Sequence, residues 1–280
     1  MDSTWLRCPN CFEHLSPVAE RVYGCERGHR FDRSKYGYLT LLPPNAPRTT
    51  GDDRAMLEAR AAVLDSGAFA PIATALAAAV EECAIASGTQ HPRIADLGCG
   101  TGYYSARVSH ALAGSALLVG DRSPEAVRMS GRALRDATGV VLDIWRPLPV
   151  RTAAADIVLN IFSPRNASEF ARILRPTGHV VTVVPTTAHL SELRDDGAML
   201  DVPGEKVELV ESQFAPAGLE MRSRSSVAYR FDASPEVQNR LVAMGPAAHH
   251  AARQSAADGD ARRLTVSVDV LVFARRSTKP

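Results

Sequence analysis

Apolar residues in this chain gather into short runs at positions 94–97, 116–120, 140–142, 157–162 and 180–184, separated by stretches with helical spacing. Short β-like runs of this kind read as strands buried on both faces. Their alternation with helices predicts a parallel sheet covered on each side, an α/β architecture. Upstream, residues 52–87 are alanine-rich with helical periodicity broken near Gly67 and Pro71, which predicts two helices. The tail departs from the rhythm: apolar segments at 227–231 and 264–273 flank a helical stretch at 236–244, as antiparallel strands added at a sheet edge would. Residues 1–42 carry cysteines and aromatic residues, and the run Pro43-Pro44-Asn45-Ala46-Pro47 stops any regular element after them. No internal repeat or low-complexity tract is visible.

At 280 residues and 45% hydrophobic content the chain can bury at least one large core. No apolar run approaches the ~20 residues of a membrane helix. The start, Met1-Asp2-Ser3-Thr4-Trp5, lacks the regions of a signal peptide, so a cytoplasmic location without a membrane partner is expected. The net charge of +1 neither demands nor excludes a nucleic acid. Lys35, Lys206 and Lys279 are the only lysines among 32 basic residues, a bias that suggests a GC-rich genome and carries no chemistry.

Three of the five cysteines lie in the first 25 residues, which in a reducing compartment favours a metal over disulfides. Cys83 and Cys99 are expected as free thiols. Cys8 and Cys11 form a C-x2-C pair, and after a spacer of 13 residues Cys25 and His29 form a C-x3-H pair. Two close pairs on separate turns are what tetrahedral zinc needs, and four ligands leave no open position, so the zinc is structural. The alternative is scattered thiols beside a surface histidine. Arg21, Arg27, Arg30, Arg33 and Lys35 interleave with Tyr23, Phe31, Tyr36 and Tyr38, as on an RNA-facing surface. Rings packed over a metal in a mini-domain would give the same composition, so both uses stay open here.

The segment Arg93 to Gly102 reads as a buried strand, a glycine-rich turn and a helix start. Its pattern is G-x-G-x-G through Gly98, Gly100 and Gly102, with Asp96 two residues ahead, not the G-x-G-x-x-G of a dinucleotide site. A carboxylate there suits the ammonium of a methionine moiety better than a diphosphate. Asp121, 19 residues beyond Gly102 at the end of the second strand, suits ribose hydroxyls. Asp143, ending the third strand beside Ile144 and Trp145, suits an adenine amino group. Any one of these acids alone is equally a helix cap; the ordered set describes an S-adenosylmethionine site.

With these motifs the chain resembles the bacterial 23S rRNA (guanine-N1)-methyltransferases, the family that includes tylosin-resistance enzymes. The likeness runs from the Cys8, Cys11, Cys25, His29 knuckle through Phe31-Asp32, Gly37-Tyr38 and Leu41-Leu42. It continues through Ala59-Arg60, Leu64 to Gly67, Phe69 to Pro71, Asp96 to Tyr104, Ile161 to Pro164, Arg175-Pro176 and Pro185 to Leu193, and closes at Met244-Gly245-Pro246. Ala68, Thr40 and Ser163 depart from residues common in the family, where histidine, asparagine and alanine are frequent.

The resemblance implies a zinc-knuckle RNA-recognition domain over 1–45, a helical linker over 46–90 that completes the cofactor site, and a class I (Rossmann-like) methyltransferase domain over 91–280 with a mostly parallel seven-stranded sheet. It also implies a homodimer acting on 23S rRNA, with S-adenosylmethionine and structural zinc as cofactors, and Phe69, Tyr104, Ser105 and His189 touching the cofactor. The expected reaction is methylation of guanine N1 in the domain II hairpin, with macrolide resistance as its consequence.

The loop at 160–166 would then lie beside the methyl group. Asn160, Ser163 and Asn166 are candidates to grip the base edge, Phe162 to stack on it, and Arg165 to approach O6 or a phosphate; no residue stands out as a general base. The structural alternatives are that Phe162 is core, Pro164 ends a strand and Asn166 caps a helix. Two other functions compete: a small-molecule methyltransferase, which would need no zinc knuckle, and a zinc-dependent RNA-binding regulator without turnover.

Overall fold

The computed structural model describes residues 1–43, 45, 46, 51–245 and 260–276; Pro44 and Pro47 of the proline-rich run, and Pro246 after Gly245, lie outside them. After a 3-10 turn at Ser3–Trp5, strands β1 (Ser16–Ala19), β2 (Val22–Gly24) and β3 (Arg30–Asp32) form a small antiparallel sheet. Strand β4 (Leu39–Thr40) leaves it for the main sheet. Helices α1 (Arg54–Asp65) and α2 (Ala70–Ala86) follow, broken at residues 66–69. Then come β5 (Arg93–Leu97), α3 (Tyr103–Ala111), β6 (Ala116–Asp121), α4 (Pro124–Ala133), β7 (Thr138–Val141), β8 (Ala155–Ile161), α5 (Ala167–Ile173) and β9 (Leu174–Pro185). The chain continues through α6 (Ser191–Asp195), α7 (Lys206–Phe214), β10 (Leu219–Ala233), α8 (Pro235–Ala243) and β11 (Arg262–Arg275).

Side-chain caps set several helix starts. Asp53, Ser123 and Ser234 accept from the N–H groups of Met56, Ala126 and Val237, and Pro124 and Pro235 sit where a helix has no N–H to lose.

The main sheet runs in the order β10-β11-β9-β8-β5-β6-β7-β4. Strands β4 to β9 pair in parallel, and β11 and β10 are added antiparallel at one edge, as the tail pattern predicts. Among the described residues the sheet has eight strands where seven are expected. The extra one is β4: Leu39 and Leu41 are buried, and pairing with Val140 and Val141 satisfies backbone groups that water does not reach.

Side chains alternate between the two faces. Ile94, Ile157 and Val181 point to one, packed under Leu64, Ile72, Leu76 and Val80 of α1 and α2; Ala95, Val158 and Val180 point to the other, under Phe170 and Phe214. The second face also holds the N-terminal segment. Trp5, Leu6, Cys8 and Cys25 belong to its core cluster, and Arg93 lies 4.0 Å above the Trp5 ring. Arg7 and Arg151 tie the backbone across this seam, Arg7 to the Leu148 carbonyl and Arg151 to that of Leu6, each at 2.8 Å. The zinc-bearing segment is thus packed into the same core as the main sheet. No single helix among the described residues is long and apolar enough to cross a membrane.

Candidate active site and metal centre

Cys8 and Cys11 sit on the turn after the 3-10 element, and Cys25 and His29 on the loop from β2 to β3. The four ligand atoms lie within 4.8 Å of one another. Sγ of Cys11 and Cys25 are 3.6 Å apart, and Nδ1 of His29 is 3.4 Å from Cys25 Sγ and 3.6 Å from Cys8 Sγ. Bonds of about 2.1–2.3 Å to a tetrahedral zinc require edges of this length. Gly28, at φ +86°, makes the turn between the second pair of ligands. Of the interleaved rings, Tyr23 is buried and Phe31 packs on the core, while Tyr36 stays exposed with Lys35 and Arg128 each 5.0 Å from its ring. The packing use left open by composition thus accounts for Tyr23 and Phe31 but not for Tyr36.

The second feature is a cavity of about 1060 Å3 at the carboxyl ends of β5, β6, β8 and β9, walled by α1 and α8. Its floor is the loop after β5. Gly98, Gly100 and Gly102 adopt φ of +93°, +51° and +81°. A Cβ on Gly98 would stand 2.4 Å from that of Ser163, so only glycine fits.

Asp96, at the end of β5, lines the cavity but is 2% exposed. Its Oδ2 accepts from Ser105 Oγ at 2.5 Å; its Oδ1 is buried with no partner among the described residues. Burial pushes the carboxyl up to about 7, against the opposing pull of Ser105 and with help from the neighbouring Asp121 carboxylate.

Asp121 lines the cavity while accepting the N–H groups of Gly100 (3.0 Å) and Ser123 (2.9 Å), which ties β6 to the glycine loop. Burial raises its carboxyl as well. Asp143 is held by Arg122 at 2.9 Å and by the Trp145 N–H at 3.0 Å, with the Trp145 ring on the exposed rim.

On the opposite wall Phe69, Tyr104, Phe162 and His189 form an aromatic cluster. Phe162 and His189 stack at 5.9 Å with 24° between planes; Phe69 lies 5.9 Å from His189 and Tyr104 6.4 Å from Phe162. Phe162 adopts φ +51°, a left-handed conformation unusual for an aromatic residue, lines the cavity and is 41% exposed.

Ten predicted residues line this cavity: Phe69, Asp96, Gly98, Gly100, Tyr104, Asp121, Asp143, Phe162, Ser163 and His189. Gly102, Ser105 and Asn160 stand behind it. Gly102 packs on the Ser130 backbone, and Ser105 is fully buried against Asp96. Asn160 is also fully buried: its amide donates to Ser163 Oγ (2.5 Å) and the Pro164 carbonyl (2.7 Å), and its Oδ1 accepts from Thr182 (3.0 Å). Asn166 caps α5 and donates to the Ile144 carbonyl, and Arg165 donates to Gln213. The two asparagines expected at a base edge are consumed in shaping the loop. Ser163 likewise donates to the Leu97 carbonyl at 2.8 Å.

Sequence reasoning assigned no role to Arg60 of α1, which lines the cavity, pairs with Asp52 at 2.5 Å and donates to the Met244 carbonyl at 2.8 Å. No local pattern marks it, because its partners lie eight and 184 residues away.

Residues 6–49 match the family described as RlmA, N-terminal, a zinc ribbon. A 23S rRNA (guanine(748)-N(1))-methyltransferase of Streptomyces fradiae is 39% identical over 249 residues, covering 88% of this chain and 86% of that protein. A putative 23S rRNA (guanine-N(1)-)-methyltransferase of Micromonospora griseorubida is 34% identical over 283 residues, 95% of this chain and 91% of that one. Another, YxjB of Bacillus subtilis, is 34% identical over 69% of each chain.

Proposed function

Since the chain belongs to the bacterial 23S rRNA (guanine-N1)-methyltransferases, we propose that it transfers a methyl group from S-adenosylmethionine to N1 of a guanine in the domain II hairpin of 23S rRNA, with macrolide resistance as the consequence. The observation that carries the cofactor assignment is Asp96 Oδ1, a buried carboxylate oxygen without a partner among the described residues, beneath a glycine loop. Such an oxygen costs free energy unless a donor arrives, and a methionine ammonium is a donor of the right charge. The rest of the wall fits the same group: Asp121 toward ribose hydroxyls, Asp143 with Ile144 and Trp145 toward adenine, and the Phe69, Tyr104 and His189 rings about the remainder.

S-adenosylmethionine supplies an electrophilic methyl carbon. The protein's own contribution is position. Asn160 and Ser163 fix the loop that follows β8, and that loop turns Phe162 outward as a stacking surface for a base taken out of its helix. Zinc, held by Cys8, Cys11, Cys25 and His29, fixes the fold of the N-terminal segment, whose exposed Tyr36 and Lys35, with Arg128 of α4 beside the Tyr36 ring, suit RNA. In this reading 1–45 recognises RNA, 46–90 completes the cofactor site through Arg60, Leu64 and Phe69, and 91–280 carries the chemistry, in a homodimer at work in the cytoplasm.

The test is incubation with methyl-labelled S-adenosylmethionine and unmodified 23S rRNA, followed by primer extension. N1-methylguanine cannot pair, so a reverse-transcriptase stop in the domain II hairpin supports the assignment. Absence of label from both free rRNA and assembled subunits overturns it.

A further inference from the structure

His189 follows β9 on a short, heavily braced loop. Its N–H bonds the Thr186 carbonyl, Thr186 Oγ1 donates to Ser267 on β11 at 2.7 Å, and Arg194 donates to the carbonyls of Thr187 and His189. The ring is wedged between Phe69 and Phe162, so it has little freedom to rotate. Its Nδ1 accepts the backbone N–H of Ser267 at 3.3 Å. A backbone N–H can only donate, so Nδ1 carries no proton and the hydrogen of the neutral ring sits on Nε2. Nε2 has no hydrogen-bond partner among the described residues, on a ring that lines the cavity beside the proposed base-stacking Phe162. Burial, reinforced by the Arg194 charge, pushes the imidazole down to about 4, so it is neutral at physiological pH. A neutral imidazole fixed as an Nε2–H donor cannot act as the missing general base at that nitrogen. It can act as an electrophile.

We propose that His189, through Nε2–H, donates a hydrogen bond to O6 of the target guanine and so stabilises the negative charge that develops there as N1 loses its proton. The inference rests on the guanine-N1 reading above. The N1–H bond breaks with the proton passing to solvent water, and its electron pair, shared between N1 and O6, forms the N1–C bond while the C–S bond breaks with its pair going to sulfur. A donor aimed at O6 lowers the barrier because the charge on O6 is greater in the transition state than in the neutral base. The braced loop supplies the preorganisation that makes such a donor effective.

The experiment compares wild type, His189→Ala and His189→Gln in single-turnover methylation of the hairpin RNA at saturating RNA and cofactor, with S-adenosylmethionine affinity measured by calorimetry and folding by thermal unfolding. His189→Ala should lower the rate at saturating cofactor by about 10²–10³-fold, the usual effect of losing one such donor, over and above any loss of cofactor affinity that its place in the cavity wall brings. His189→Gln, whose amide places an N–H near the Nε2 position, should recover at least about tenfold of the loss. An Ala variant whose rate returns to the wild-type value once S-adenosylmethionine is raised to saturation makes His189 a cofactor ligand only and overturns the proposal. So does an Ala variant that retains its rate, or a Gln variant no better than Ala. Wild type that leaves no N1-methyl stop overturns the guanine-N1 reading itself, whereas a wild-type stop with an unaffected Ala variant overturns this inference alone.

Discussion

Ser105 donates its hydroxyl to one oxygen of Asp96 at 2.5 Å and leaves the other oxygen buried without a partner among the described residues, so the carboxylate is oriented for a ligand. The free protein carries the desolvation cost of that charge, and a cationic ligand removes it.

Asp96→Asn should therefore weaken S-adenosylmethionine binding by about 10- to 100-fold, the worth of one charge-assisted hydrogen bond of ~1.5–3 kcal/mol. Calorimetry measures it, and an affinity within twofold of wild type contradicts the role.

The same carboxyl gives binding a pH dependence. With its folded value held at about 7, it is largely protonated at pH 6, and binding an ammonium must expel the proton. Cofactor affinity should rise between about pH 5.5 and 7 in wild type and stay flat in Asp96→Asn. Folding stability has the opposite slope. A carboxyl raised above its ordinary 3.8 contributes stability that is present below 3.8 and lost as pH rises through about 7. The Tm difference between the free proteins should therefore move in favour of the variant from pH 5 to pH 8.

Phe162→Gly separates strain from function. Glycine accepts φ +51° without penalty, and the ring it removes is 41% exposed, so thermal unfolding should change by less than about 1 kcal/mol in either direction. Methylation of RNA should fall at least about tenfold, since stacking on one ring is worth ~1–3 kcal/mol. A variant that is fully active assigns Phe162 to packing alone.

Gly98→Ala should abolish cofactor binding. Its new Cβ would meet Ser163 at 2.4 Å, on a backbone at φ +93°, and the loop that must move is the cavity floor. Pairing it with Ser163→Ala would leave the clash in place, because the contact is to the Ser163 Cβ, so calorimetry should find no rescue.

Removal of zinc should destabilise more than the N-terminal segment. Cys8 and Cys25 share a core cluster with Trp5, Leu118, Val140 and Phe170, so chelation or Cys25→Ser should lower the Tm of the whole protein instead of melting a separate transition. Calorimetric unfolding with and without chelator distinguishes the two.

What the sequence determined by itself was everything carried by local spacing. Cys8, Cys11, Cys25 and His29 were legible because a tetrahedral ion imposes close ligand pairs, and Asp96, Gly98, Asp121 and Asp143 because each must stand at the end of a strand whose apolar run is visible. The tertiary structure alone decided which polar groups remain free. Asn160 and Asn166 read as base-gripping residues until the fold spends their amides on Ser163, Pro164 and Ile144. Arg60 acquires its place only when Asp52 and Met244 meet around it, and β4 becomes an eighth strand only because burial of Leu39 obliges its backbone to find Val140. The tautomer of His189 is set by Ser267, 78 residues away. Hydrogen bonds between distant segments form on contact in space, and residue spacing along a chain holds no record of them.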